Sequence, residues 1–296
     1  MISPLRYPGA KRRFVDIITD TIRANNLTPK LYVEPFAGGA SVALQLLADN
    51  VVESVGLAEL DSLLASFWRA VFWDTDWLVR RIRSTKVTLA TWRKLRSRPL
   101  VTDRDRAFAC LYLNRTSFSG ILSPTGGPLG GWNQTSAYKL DCRFPRERLV
   151  QRIRLISSMR SRIAFVEHAS WEETISASLK RGFAISDLFF YLDPPFYCKA
   201  DRLYTQYFRE RDHVALRDAL KKLSCPWFLS YDPADRIGEL YSENGSSQHV
   251  EVLYSAGCNS GRAARKEIIV TNLPVLPVRP FTRMLRSRRR AQQGKA

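Results

Sequence analysis

Short apolar runs alternate with amphipathic stretches along the chain, and their order predicts a layered α/β fold. "KLYVEPF" (30–36) reads as a buried strand, and "GGASVALQLLADN" (38–50) as a glycine turn opening a helix. "VESVGLAEL" (52–60) predicts a second strand, followed by a helix over "DSLLASFWRAVF" (61–72) with Asp61 as its N-cap. Strand, helix, strand, helix with short turns is the pattern of a parallel sheet covered by helices. The same alternation resumes at "RIAFVEHASWEETI" (162–175) and "DLFFYLDPPF" (187–196). It continues through a helix over "RDHVALRDALKKL" (211–223) and a strand at "PWFLSY" (226–231). Two final strand-like runs, "HVEVLYSA" (249–256) and "KEIIVTNL" (266–273), are so closely connected that an antiparallel pair is expected.

Between 75 and 161 the texture changes. Arg- and Trp-rich helical stretches ("WLVRRIRSTKVTLATWRKLRSR", "DRDRAFACLYLNRTSFSG") lead into a Gly/Pro-rich loop, "ILSPTGGPLGGWNQTSAY". A loop this long inside a compact domain is as a rule functional or mobile. The expected organisation is a discontinuous α/β domain over 1–74 and 162–280, with an inserted, mainly helical region over 75–161. A tail over 281–296 is expected to be disordered.

Charge adds the first hint of function. The chain of 296 residues carries 46 Lys and Arg against 28 Asp and Glu, a formal net charge of +18. The acid-free tail holds only a minority of that excess, so the body is itself basic. Such a surface suits a polyanion, most often nucleic acid, although a solubility role would also account for it. The five cysteines have no CxxC spacing and the three histidines are scattered, so neither a metal site nor a disulfide framework is expected. The N-terminus "MISPLRYPGAKRR" lacks the apolar core of a signal peptide, and no stretch reaches the ~18 apolar residues of a membrane span. A cytoplasmic setting is the expectation, in a bacterium or, for a phage-encoded protein, in its host.

Two constellations point to chemistry. In "VEPFAGGAS" (33–41) a strand ends in paired glycines before a helix, which lets backbone approach a small ligand. Glu59 stands at the end of the second strand, where a doubly wound fold places an acid to hold ribose hydroxyls. The glycines do not form GxGxxG, so a ribose is implied and a pyrophosphate is not. S-adenosylmethionine meets that description; a turn glycine pair beside a surface acid would also explain it. The second is "YLDPPF" (191–196). A carboxylate at Asp193 and the carbonyl of Pro194 could accept the two hydrogens of an exocyclic amino group, drawing the nitrogen toward tetrahedral geometry. Prolines bring no competing N–H, Pro195 keeps residue 194 extended, and Phe196 can stack on a base. A strand terminator in an ordinary turn is the plainer alternative.

Six segments standing in order resemble the Dam-type (α class) adenine-N6 DNA methyltransferases: "PLRYPGAKRR", "YVEPFAGGAS", "LYLNRTSFSG", "YLDPPF", "FLSYDP" and "KEIIVTNL". The resemblance spans about residues 3–274. It implies a Rossmann-like, S-adenosylmethionine-dependent methyltransferase fold with a helical inserted target-recognition region and an antiparallel C-terminal strand pair. It also implies roles. Tyr7 and Lys11 match the first cofactor-contacting segment. Glu34, Phe36, Gly38 and Gly39 match the methionine end of the cofactor site, Glu59 its ribose, and Ser170 and Trp171 its adenine. Asp193, Pro194, Pro195 and Phe196 match the catalytic tetrad, with Asp193 also beside the cofactor. In the insertion, Arg115 matches a phosphate contact and Phe118 a wedge in the base stack, with Ser119 beside it. Phe196 replaces the commoner Tyr, Gly-Ala replaces Gly-Gly before Lys11, and Ser119 stands where Dam itself has Asn.

The expected activity is methyl transfer from S-adenosylmethionine to the N6 amino group of an adenine flipped from double-stranded DNA, by a monomer. Methylation at cytosine carbon 5 would need a Pro-Cys nucleophile, and no Pro-Cys dipeptide occurs. Three alternatives stay open on the residues: an amino methyltransferase for cytosine N4, one for RNA adenine, or a non-catalytic DNA-binding protein that keeps the fold. A nicotinamide dehydrogenase is disfavoured by the missing GxGxxG.

Overall fold

The computed structural model describes residues 3–6, 14–197, 207–242, 246–253 and 264–276. Tyr7, Lys11 and the basic stretch 281–296 lie outside these residues. A seven-stranded sheet runs through the molecule in the order β3-β2-β1-β4-β5-β7-β6. Its strands are β1 Leu31–Glu34, β2 Ser54–Glu59, β3 Ile163–His168, β4 Leu188–Leu192, β5 Trp227–Tyr231, β6 Ser246–Leu253 and β7 Ala264–Thr271. The first five are parallel; β7 runs antiparallel to both β5 and β6. The antiparallel C-terminal pair is as the sequence predicts, with β7 rather than β6 docked on β5.

Burial explains why β1, β4 and β5 read as near-continuous apolar runs: every residue of all three is buried, since helices cover both sheet faces. Side chains alternate between two cores. Tyr32, Phe189, Tyr191, Phe228 and Ile269 point to one. Leu31, Val33, Phe190, Leu192, Trp227, Leu229 and Tyr231 point to the other. The first core is closed by α1 (Phe14–Ala24), α2 (Ser41–Ala48) and α3 (Ser62–Trp73). The second is closed by α8 (Trp171–Leu179), α9 (Glu210–Lys222) and α10 (Asp235–Leu240). Asp61 caps α3 as expected, its carboxylate accepting the Leu63 N–H at 2.8 Å.

Residues 75–157 form four further helices: α4 Thr75–Ser84, α5 Leu89–Ser97, α6 Asp103–Thr116 and α7 Arg146–Ser157. Their apolar faces join the first core, with Leu78, Ile82, Phe108, Leu111 and Ile153 buried in one cluster with Phe67 and Val71 of α3. A full capping box at Thr102 and Asp105 starts α6. The stretch 121–145 contains no α-helix or strand and is tied down by side chains. Arg96 donates to the carbonyls of Leu122, Ser123 and Gly126, while Gln134 donates to those of Leu129 and Gly131.

Candidate active site

The strand order reverses between β1 and β4, and in open α/β sheets ligands bind at such a switch point, beyond the carboxyl ends of the strands. Register decides which side chains meet there. Leu31 pairs with Leu188 and Val33 with Phe190, while Leu192 pairs with Leu229. Continuing the alternation, Glu34, Asp193 and Ser230 fall on the same sheet face at the ends of three adjacent strands, the face of Tyr32, Tyr191 and Phe228. The hydroxyl of Ser230 donates to Asp193 Oδ1 at 3.0 Å and also lies 3.0 Å from the Tyr191 hydroxyl.

Glu34 ends β1 almost wholly buried, at 3% exposure. One of its oxygens accepts the Ala43 N–H at 2.8 Å and the Tyr32 hydroxyl at 3.2 Å. It thereby does for α2 what the N-cap residue, Ala40, with only a methyl group, cannot do. Burial nevertheless outweighs these bonds and pushes its carboxyl up to about 8. The turn after β1 is tight: Gly38 and Ala40 both adopt left-handed backbone, each at φ 45°. For Gly38 that conformation is free of Cβ strain. Its N–H donates to Glu59 Oε2 at 2.8 Å, and its carbonyl accepts the Trp68 indole N–H at 2.9 Å.

Glu59 sits at the end of β2 and also accepts the Asp61 N–H at 3.2 Å. Burial, followed by the neighbouring Asp61, pushes its carboxyl up to about 7. Residue 169 donates its N–H to the Glu59 carbonyl at 3.3 Å, which brings Ser170 and Trp171 to the same sheet edge. The Ser170 hydroxyl caps α8 by accepting the Glu173 N–H, and Trp171 is buried. Phe36 packs edge-to-face on Phe208 at 5.7 Å. Thus Glu34, Phe36, Gly38, Gly39, Glu59, Ser170, Trp171 and the 193–196 segment gather along one rim of the sheet, at the ends of β1, β2, β3 and β4.

The three insertion residues lie elsewhere, around the end of α6. Arg115 is only 8% exposed; it donates through Nε to the Arg143 carbonyl at 2.6 Å and reaches the Pro4 carbonyl at 3.5 Å. Burial draws its guanidinium down to about 10, so it stays charged at neutral pH. Phe118 opens a 3-10 turn, Phe118–Gly120, and is 65% exposed. Ser119 beside it is exposed and left-handed, at φ 55°. The turn is held from two sides. The Phe118 N–H donates to the Gly127 carbonyl at 2.9 Å. Asn114, fully buried, accepts the Arg6 N–H at 2.7 Å and donates to the carbonyls of Arg6 and Gly120 at 2.9 and 3.0 Å.

Sequence reasoning assigned no role to Tyr32, Asn114, Trp68, Ser230 or Asp232. The last two lie in the segment "FLSYDP", which carries part of the resemblance but by itself assigns neither of them a role.

Among the described residues no group of three or more His, Cys, Asp and Glu could hold a metal ion, and no helix is long and apolar enough to cross a membrane. Comparison with curated proteins finds no match. The family model of the D12 class N6 adenine-specific DNA methyltransferases matches residues 7–255, which takes in every strand end of the rim just described. The chain belongs to the D12 class of N6 adenine-specific DNA methyltransferases.

Proposed function

We propose that the rim at the β1/β4 switch point holds S-adenosylmethionine on one side and a single adenine, turned out of duplex DNA, on the other. The family transfers a methyl group to adenine N6 in DNA. The observation that supports this placement is the convergence of Glu34, Asp193 and Ser230 at three adjacent strand ends, with Glu59 one strand further. The donor set fits the cofactor. A buried acid poised near 8 suits an ammonium group, and an acid at the end of β2 suits ribose hydroxyls. The tight turn through Gly38, Gly39 and Ala40, left-handed at Gly38 and Ala40, brings backbone between them without bulky side chains. When bound, S-adenosylmethionine supplies a methyl group activated by its sulfonium.

The chain's own residues prepare the acceptor. The adenine amino nitrogen is a poor nucleophile because its lone pair is delocalised into the ring. The Asp193 carboxylate and the Pro194 carbonyl would each accept one amino hydrogen, localising that lone pair. Asp193 also offsets the positive charge that grows on the nitrogen. It orients rather than deprotonates, since the proton can leave afterwards to water. Pro195 keeps Pro194 extended and Phe196 supplies a stacking face. Phe118 would fill the gap left by the extruded base, with Ser119 beside it, because an amino group inside the duplex is stacked and paired. Arg115, held by backbone carbonyls, would add positive potential behind this wedge. On this reading 75–161 is the target-recognition region, 1–74 with 162–280 the catalytic unit, Tyr7 and Lys11 further cofactor contacts, and 281–296 a source of phosphate contact. The enzyme acts as a monomer.

The direct test is expression in a host free of DNA methylation, followed by mapping of modified bases across the genome. N6-methyladenine confined to one short sequence context is the expected result. Modification at cytosine N4, or none in DNA, would overturn the reading.

Glu34 gives a second check. Below about pH 8 the acid is protonated in the free protein, so pairing it with a cation requires losing that proton. Cofactor affinity should therefore rise between pH 6 and 8, by up to about tenfold per unit, and stop rising there as the ligand's own amino group begins to lose its proton. Calorimetry in two buffers of different ionisation enthalpy should show proton release on binding. The Glu34→Gln variant should bind weakly and without that pH dependence; a pH-dependent Gln variant would detach the effect from Glu34.

A further inference from the structure

We propose that Ser230 and Asp232 at the end of β5 are positioning residues that clamp the two ends of the catalytic segment 193–197. The proposal rests on Asp193 being the group that meets the adenine amino nitrogen, and it adds what holds Asp193 in place.

The need for a clamp follows from the segment's own composition. Pro194 and Pro195 have no backbone N–H, so the middle of the segment cannot be pinned by donating hydrogen bonds. Donated backbone bonds can come only from the residues on either side of the two prolines. Both ends are met by β5. Ser230 donates to Asp193 Oδ1 at 3.0 Å, and Asp232 Oδ1 accepts the Tyr197 N–H at 2.8 Å. Ser230 lies in β5, and Asp232 directly follows its last residue, Tyr231. One strand end therefore sets both anchor points.

Each anchor is itself fixed. Ser230 is fully buried, and its single proton is spent on Asp193; the Tyr191 hydroxyl, 3.0 Å away, then donates to Ser230. This fixes the direction of the serine hydroxyl and with it the plane of the Asp193 carboxylate. At the other end the Tyr197 hydroxyl donates to Glu210 at 2.8 Å, and the Tyr197 ring lies 5.0 Å from that of His213. His213 is buried, with Nδ1 2.8 Å from the Tyr231 hydroxyl, and Glu210 is paired with Arg236 at 2.8 Å. The far end of the segment is thus tied to β5, α9 and α10 together. A carboxylate that must meet one amino hydrogen is sensitive to such support, since misplacement by about 1 Å can cost 10²-fold in rate.

The test compares Ser230→Ala, Asp232→Ala and Asp232→Asn with the wild type and with Asp193→Ala. Single-turnover methyl transfer is measured with labelled S-adenosylmethionine on plasmid DNA from a methylation-free host. Cofactor and DNA affinities are measured on the same proteins. Ser230→Ala and Asp232→Ala should each slow transfer by roughly 10- to 10²-fold, with both affinities within about twofold of wild type. Asp232→Asn keeps a carbonyl acceptor for the Tyr197 N–H and should restore most of the rate. Asp232 is partly exposed, so its variants keep the test valid should Ser230→Ala not fold. Wild-type rates in both alanine variants would overturn the clamp. So would a loss of rate that follows a loss of cofactor binding, or a slow Asp232→Asn. A wild-type rate in Asp193→Ala is a separate outcome: it would remove the assignment of Asp193, and the clamp with it.

Discussion

Replacing Asp193 by alanine is expected to lower methyl transfer by roughly 10³-fold or more, while DNA binding stays within about twofold. The argument is one of differential interaction. In the ground state the carboxylate accepts a hydrogen bond that water would otherwise accept, so little affinity is at stake. As the carbon–nitrogen bond forms, the amino nitrogen becomes cationic, and a fixed negative oxygen gains strength where charge grows. The place of Asp193 sharpens this effect. It stands at the end of a strand whose five residues are all buried, with one oxygen already engaged by Ser230. That bond helps aim the carboxylate, which is not free to wander. Labelled-cofactor assays with a parallel DNA-binding titration check both halves of the expectation. A wild-type rate would remove Asp193 from the chemistry. A loss of DNA binding matching the loss of rate would make its role structural.

A second large effect is expected in the turn after α6, at Gly120. Its φ of 76° is left-handed, which costs any other residue about 1 kcal/mol. A Cβ there would also stand 2.2 Å from the Arg6 carbonyl oxygen, a backbone atom that cannot swing away. To make room, residues 3–6 must withdraw from α6, and buried Asn114 then loses its partners in Arg6. Each buried polar group left unpaired costs about 1–3 kcal/mol. Together these effects put Gly120→Ala at about 3–5 kcal/mol, a fall in Tm of roughly 10 °C for a chain of this size. Scanning calorimetry measures it, and a Tm within about 2 °C of wild type would contradict the clash. Because the displaced residues lead into Tyr7 and Lys11, weaker cofactor binding should accompany the lower Tm.

Much of the scaffold was legible because burial writes itself into sequence. The unbroken apolar runs of β1, β4 and β5 announced strands covered on both faces, and Asp61 announced the start of α3. The candidate site was legible where it hangs directly on those strands. An acid stopping an apolar run, as at Glu34, Glu59 and Asp193, needs a reason, and a ligand edge is one. What could not be read was whatever depends on a distant partner. Arg115 was matched to a phosphate contact by the resemblance alone, which says nothing of what holds its side chain. Only the fold shows the Arg143 and Pro4 carbonyls that it serves. Asn114 stood inside a resembling segment, but its role was not readable, since the groups it joins are Arg6 and Gly120, the first of them far away in the chain. Ser230 was hidden for another reason: a serine in a strand is unremarkable until the register of β4 against β5 sets it beside Asp193.

The path of the chain through the sheet also dictates a timetable. Strand β1 lies between β2 and β4, yet β4 begins only at Leu188, after the chain has made α3 to α7 and returned as β3. During synthesis β1 must therefore wait, apolar on both faces and with one edge unpaired, until residues 60–162 have emerged and β4 follows. Closing so long an excursion is slow, and an open strand edge invites wrong partners meanwhile. Helices α3, α4, α6 and α7 share one core with α1 and α2, so the excursion can collapse against the waiting half-sheet as it emerges and need not remain a loose loop. The helices of 75–157, proposed above to read DNA, thus help shelter the central strand while the nascent chain is still incomplete.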